Sequence, residues 1–244
     1  MVQIYAHRGS KGTHPENTLP AFSEAVRVGV DGIELDVHLS KDGQLIVIHD
    51  ETVDRTTNGK GLVREKTLEE LKKLNAGSWF SKDFPAAKIP ALKEVLSLLL
   101  QKNYRGTLMI EIKTDKYEYE GIEAQVSELM TKNEWPFRHA YCSFNLRSLE
   151  RLSVIEPDAQ LDLLMSDSMK KLDLAKTLPF IEGLHPKATW AFAHPQEIQE
   201  FPKRIRLWTV NTTEELERGL KEPVDALITD FPERAWYVKQ LMKK

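Results

Sequence analysis

Short apolar runs alternate with longer amphipathic stretches along the chain, and that alternation restricts it to a sheet flanked by helices. Strand candidates fall at residues 4–6, 33–37, 45–48, 108–112, 140–143, 160–164, 183–185, 207–210 and 226–229. The spacing predicts helices near 20–28, 68–74, 91–102, 122–132, 146–155 and 233–242, the first opened by Asn17-Thr18 and stopped by Gly29. Strands alternating with helices over this length argue for an α/β fold, a TIM-type (β/α)8 barrel. A doubly wound open sheet is the alternative. No G-x-G-x-x-G follows the first strand, which counts against that alternative as a dinucleotide binder.

One connection does not suit a regular barrel. Only Leu39-Ser40-Lys41-Asp42-Gly43-Gln44 separates the second and third strands, too little chain for a parallel crossover. A tight turn at Asp42-Gly43 and an antiparallel pair are expected instead, which also accounts for a ninth strand candidate. Folding about Asp42 sets Asp36 opposite Ile48 and Leu35 opposite His49, so the third strand brings His49 close to Glu34 and Asp36. Residues 51–90 then break the alternation, and a segment this long reads as a small insertion after the third strand, over the barrel mouth. With 244 residues, 41% of them hydrophobic, the chain fits one domain of barrel size spanning 1–244.

Two strands carry charge where a closed sheet needs packing. Side chains of a strand alternate between faces, so Glu34 and Asp36 share one face while Ile33, Leu35 and Val37 take the other. In 107–113 the same rule sets Met109, Glu111 and Lys113 against Leu108, Ile110 and Ile112. Adjacent carboxylates repel, so either one holds its proton through a raised pKa or a hard divalent cation neutralises them. Taken singly, Glu34 or Glu111 also fits the solvent face of an edge strand. His7-Arg8-Gly9 follows the first strand and His49-Asp50 the third, and Gly9 there permits a sharp turn or a close backbone approach. Imidazoles, a guanidinium and carboxylates at strand ends are the groups that metal-assisted cleavage of a phosphate ester requires.

Charge and cysteine usage narrow the classes. Lys and Arg number 34 against 37 Asp and Glu, a net charge of −3 that gives no overall pull toward nucleic acid or anionic lipid. A single cysteine, Cys142, excludes an intramolecular disulfide. No apolar run approaches the ~20 residues of a membrane span, so stable membrane insertion is not expected. The opening Met1-Val2-Gln3-Ile4-Tyr5 lacks a secretory signal pattern, which makes cytoplasmic residence the default expectation.

His7-Arg8-Gly9, Pro15-Glu16-Asn17-Thr18, Ala21-Phe22, Ile33-Glu34-Leu35-Asp36-Val37, Asp42-Gly43, His49-Asp50, Arg55-Thr56-Thr57 and Gly61 together resemble the glycerophosphodiester phosphodiesterase family. The resemblance continues through Glu111-Ile112-Lys113, Ser143-Phe144, Trp208-Thr209-Val210-Asn211 and Ile228-Thr229-Asp230-Phe231-Pro232, nearly the whole chain in order. It implies a phospholipase C-like phosphodiesterase barrel that hydrolyses glycerophosphodiesters to an alcohol and glycerol 3-phosphate. It further implies one divalent cation, calcium or magnesium, on Glu34, Asp36 and Glu111, with His7 and His49 as the acid/base pair. Arg8 and Lys113 would bind phosphate oxygens, and Trp208 would wall the glycerol or the leaving group, with barrel packing as its alternative role. His38, His139, His185 and His194 belong to no matched motif and read as structural. Lysophospholipids or phosphoinositides as substrates, and an inactive barrel used for binding, are the competing functions.

Overall fold

The computed structural model describes residues 1–243. Its strands are β1 (Gln3–Ala6), β2 (Gly32–Leu39), β3 (Leu45–Val47), β4 (Thr107–Ile112), β5 (Arg138–Ser143), β6 (Leu161–Met165), β7 (Gly183–Pro186), β8 (Arg204–Trp208) and β9 (Ala226–Thr229). All but β3 run parallel, and β1 pairs with both β9 and β2, so the sheet closes on itself as an eight-stranded barrel. The strand β3 lies outside the ring, antiparallel to β2, with Val37 opposite Val47 and Leu39 opposite Leu45. That register continues as expected, for the Ile48 N–H donates to the Asp36 carbonyl at 3.2 Å.

Helices α1 (Leu19–Val28), α2 (Leu68–Lys73), α3 (Leu92–Gln101), α4 (Ile122–Thr131) and α5 (Leu146–Ile155) follow their sequence patterns closely. Four more were not expected, α6 (Met169–Thr177), α7 (Ala188–Ala193), α8 (Pro195–Gln199) and α9 (Thr213–Gly219), before the final α10 (Pro232–Leu241). Gly29 closes α1 in the left-handed region at φ 78°, its N–H reaching the carbonyls of Ala25 and Val26. Thr18 occupies the N-cap position, but its hydroxyl donates to the Pro15 carbonyl and caps nothing. Among the described residues no helix is long and apolar enough to cross a membrane.

Strand alternation divides the core into two layers. Ile33, Leu35, Val37, Leu108, Ile110 and Ile112 pack outward against helix residues such as Phe22, Leu96 and Val126. Inside the barrel, Tyr5, Met109, Ala140, Cys142, Leu164, Ala226 and Ile228 form a separate cluster drawn from strands alone. Every residue of β2 and β4 is buried, so the charged faces of both strands point into the barrel and the edge-strand alternative falls. Residues 51–90 hold the one-turn 3₁₀ helix Val63–Glu65 and α2, and pack Val53, Val63, Leu71, Ala76 and Ile89 against Ile46 and Ile48 in a third cluster.

Candidate active site

The parallel strands deliver their C-terminal ends to one mouth, where open α/β and barrel folds build their sites. His7 follows β1, Glu34 and Asp36 lie in β2, Glu111 is in β4 with Lys113 just beyond it, and His49 follows β3. Strand pairing puts Asp36 directly beside Glu111. Carboxylate oxygens of Glu34, Asp36 and Glu111 all lie within 4.8 Å of one another. A cavity of about 630 Å³ lies at the other end of the barrel, among Gln3, Arg138, Arg206 and Asp225, and shares none of these residues.

Three buried carboxylates at this spacing strain one another electrostatically. Burial, reinforced by Asp36 and Glu111, pushes the Glu34 carboxyl well above its ordinary range. Burial likewise lifts Glu111 to about 7, with Asp36 adding to the rise and Lys113 opposing it. For Asp36 burial works the same way, but Arg8, His49, Lys113 and the Asn17 amide outweigh it and hold its carboxyl well below the usual range. The Arg8 N–H donates to Glu34 Oε2 at 2.9 Å, and Arg8 Nε lies 3.4 Å from Asp36 Oδ2. Lys113 Nζ donates to Glu111 Oε1 at 2.9 Å. Asp36 Oδ1 is buried without a hydrogen-bond partner. One proton or one cation must supply what these two basic groups leave unbalanced.

The loop from β1 to α1 is built to hold Arg8. Arg8 and Asn17 both adopt left-handed backbone, φ 53° and 56°, and the Asn17 N–H closes the loop onto the Arg8 carbonyl at 3.0 Å. The Asn17 side-chain amide donates to Asp36 Oδ2 at 2.8 Å, work the sequence reading assigned to helix capping. At φ 76°, a Cβ on Gly9 would stand 2.7 Å from the Ala21 backbone, so glycine lets this loop lie on α1.

Each imidazole is anchored through Nδ1. His7 Nδ1 lies 2.6 Å from Asp230 Oδ1, and Asn211 donates to the other oxygen of Asp230 at 3.0 Å. His49 Nδ1 lies 2.7 Å from Asp50 Oδ1. An ionised carboxylate accepts the Nδ1 proton and leaves Nε2 free to exchange one. Burial and the neighbouring Arg8 lower His7 to about 4, so its imidazole is neutral near pH 7. His38, buried beneath, hydrogen-bonds the His49 carbonyl through Nε2 and Tyr119 Oη through Nδ1, each at 3.0 Å, in keeping with its structural reading.

Trp208 ends β8, its Nε1 donating to the His185 carbonyl at 2.8 Å and its ring edge-on to Phe144 at 5.7 Å. Asp230, Asp50 and Arg55 were given no role by sequence reasoning, although each sits in a matched motif.

A closed parallel barrel whose mouth gathers acidic oxygens, two carboxylate-anchored imidazoles and two basic groups defines a class of protein, the barrel hydrolases of phosphate esters. Residues 7–234 match the glycerophosphoryl diester phosphodiesterase family, and the chain belongs to it. A glycerophosphodiester phosphodiesterase of Bacillus altitudinis is 40% identical over 247 residues, covering 100% of both chains. One from Caldanaerobacter subterraneus is 39% identical over 94% of each. Among solved structures, an Oleispira antarctica phosphodiesterase in complex with its product sn-glycerol 3-phosphate superposes with a TM-score of 0.85 at 28% identity, over 98% of this chain and 96% of that one. The glycerophosphodiester phosphodiesterase of Thermotoga maritima gives 0.76 at 28%, over 98% of both. The barrel and the phosphodiesterase activity expected from the sequence are thereby borne out.

Proposed function

We propose that this phosphodiesterase hydrolyses glycerophosphodiesters to an alcohol and sn-glycerol 3-phosphate, using His7 and His49 as its acid/base pair and one divalent cation on Glu34, Asp36 and Glu111. The observation that carries the reading is the pair of imidazoles, each anchored at Nδ1 by a carboxylate, beside a buried acidic triad. The triad suits calcium or magnesium, because three hard oxygen donors converge, one oxygen of Asp36 has no hydrogen-bond partner, and burial leaves Glu34 and Glu111 short of counter-charge. When bound, such a cation supplies charge stabilisation to the phosphoryl oxygens.

The chain's own residues do the rest. Arg8 and Lys113 add positive charge where negative charge grows on the phosphoryl oxygens, which favours the transition state over the ground state. Neutral His7 takes a proton at Nε2 from the attacking oxygen, and His49 gives one to the departing alkoxide. The attacking oxygen is the neighbouring glycerol hydroxyl of the substrate, forming a cyclic phosphate that water then opens. Trp208 and Phe144 form an apolar wall for the carbon skeleton. Residues 51–90 act as an insertion within one catalytic domain.

The test is release of glycerol 3-phosphate from glycerophosphocholine and glycerophosphoethanolamine with calcium or magnesium, and again after chelation. Release that stops on chelation supports the cation reading; release that survives it overturns that part. A diester lacking the neighbouring hydroxyl should be nearly inert, and equal turnover of the two would replace the cyclic route by direct attack of water.

A further inference from the structure

Arg55 belongs to the segment that interrupts the barrel, yet its guanidinium is fully committed to the site. Its Nε donates to Asp50 Oδ2 at 2.7 Å and Nη2 to Asp50 Oδ1 at 3.0 Å. Nη1 and Nη2 donate to the two oxygens of Glu16 at 2.8 Å each. The planar fork therefore grips two carboxylates at once, in the bidentate geometry arginine offers and lysine does not. Asp50 is the carboxylate on His49 Nδ1, and Glu16, almost wholly buried, is the carboxylate on Arg8 Nη1 at 2.8 Å. Glu16 thus fixes the far end of the fork to the loop that carries Arg8, and Arg55 aims the near end at Asp50.

We propose that Arg55 is a positioning residue for the proton-donating imidazole: clamped on Glu16, it fixes the Asp50 carboxylate that orients His49. The proposal rests on the acid/base reading above and gives the inserted segment a part in that chemistry. In the step concerned, the bond from phosphorus to the leaving oxygen breaks, the oxygen keeps the electron pair, and it takes the proton from His49 Nε2 to depart as an alcohol. Loosening Asp50 lets the imidazole turn and removes that proton from line, while the attacking side, built on His7 and Asp230, is untouched.

Leaving-group dependence separates this role from a merely structural one. An alcohol such as ethanolamine needs the proton, whereas p-nitrophenolate leaves without it. Arg55→Met should cut kcat on glycerophosphoethanolamine by roughly 10–100-fold with little change in KM, as loss of a supporting residue does. On glycerol 3-phosphate p-nitrophenyl ester the loss should stay within roughly threefold, since general-acid help is not called on there. Arg55→Lys, able to hold one carboxylate but not two, should fall between. Combining Arg55→Met with Asp50→Asn should cost no more than Asp50→Asn alone, because both act through one imidazole. Equal losses on the two esters, or fully additive losses in the double variant, would overturn the proposal. Wild-type enzyme inert toward both esters would instead sink the glycerophosphodiester reading itself.

Discussion

At the scale of single residues, the Nδ1 contact of His7 decides which proton it can handle. With the Asp230 carboxylate accepting from Nδ1, the neutral ring presents a lone pair at Nε2. Asp230→Asn would offer an amide N–H to Nδ1, shift the ring proton to Nε2 and leave nothing there to accept one. The expected outcome is a fall in kcat of roughly 10²–10⁴-fold with KM nearly unchanged, measured by steady-state release of glycerol 3-phosphate. Burial of His7, against the opposing pull of Asp230, sets a pH dependence of stability. His7 titrates at about 4 in the fold against 6.5 when free, chiefly because it is buried, so the unfolded chain binds the extra proton between those values. This contribution is intact above pH 6.5 and is lost as pH falls toward 4. Glu34 and Glu111, lifted by burial, take up protons in the metal-free fold over the same window and work the other way, so the readout is the difference: the melting temperature of wild type should fall relative to that of His7→Gln as pH goes from 6.5 to 4. The histidines, the basic groups and the carboxylates were legible because alternation and position at strand ends expose them. Asp230 was not, since its partner lies 223 residues away and only barrel closure brings β9 beside β1.

Element by element, legibility follows how far local pattern decides structure. The β2–β3 hairpin was readable to the residue pair, because a six-residue link with Asp-Gly leaves one antiparallel register. The strand expected at 207–210 is instead Arg204–Trp208. Arg204 and Arg206 disguise it, and the buried Arg206 is tolerated only because it pairs with Asp162 across the interior, a contact no local window contains. Helices α7 and α8 are too short to show periodicity, whereas α9 carries the Thr212 and Glu215 capping box, a signal that could have revealed it. The junction of β1 and α1 depends on Gly9 in both its positive φ and its contact with Ala21. Gly9→Ala should therefore destabilise the fold by about 1–3 kcal/mol, from strain and overpacking together, readable as a lowered urea midpoint.

For the molecule as a whole, the barrel interior is graded from one end to the other. Near the strand starts, Asp162, His185 and Arg206 neutralise one another, His185 Nε2 lying 2.9 Å from Asp162 Oδ2. The middle is apolar, with Met109, Cys142 and Leu164. At the mouth, three carboxylates face two basic groups, and this end alone carries surplus negative charge. A core chosen for stability would hold apolar side chains there, so the barrel without an ion carries a penalty that a cation bound to the triad would remove. A ligand that binds only the folded state at 100 times its dissociation constant adds about 2.7 kcal/mol. For a chain of 244 residues that corresponds to a rise in melting temperature of roughly 5–10 °C. Glu34→Gln keeps the size of the side chain and deletes one of the mutually repelling charges. It should melt above the metal-free wild type and respond little to added calcium or magnesium. A Glu34→Gln protein that still gained the full wild-type increment on adding the cation would place the ion elsewhere, and the acidic triad would then be left without a function.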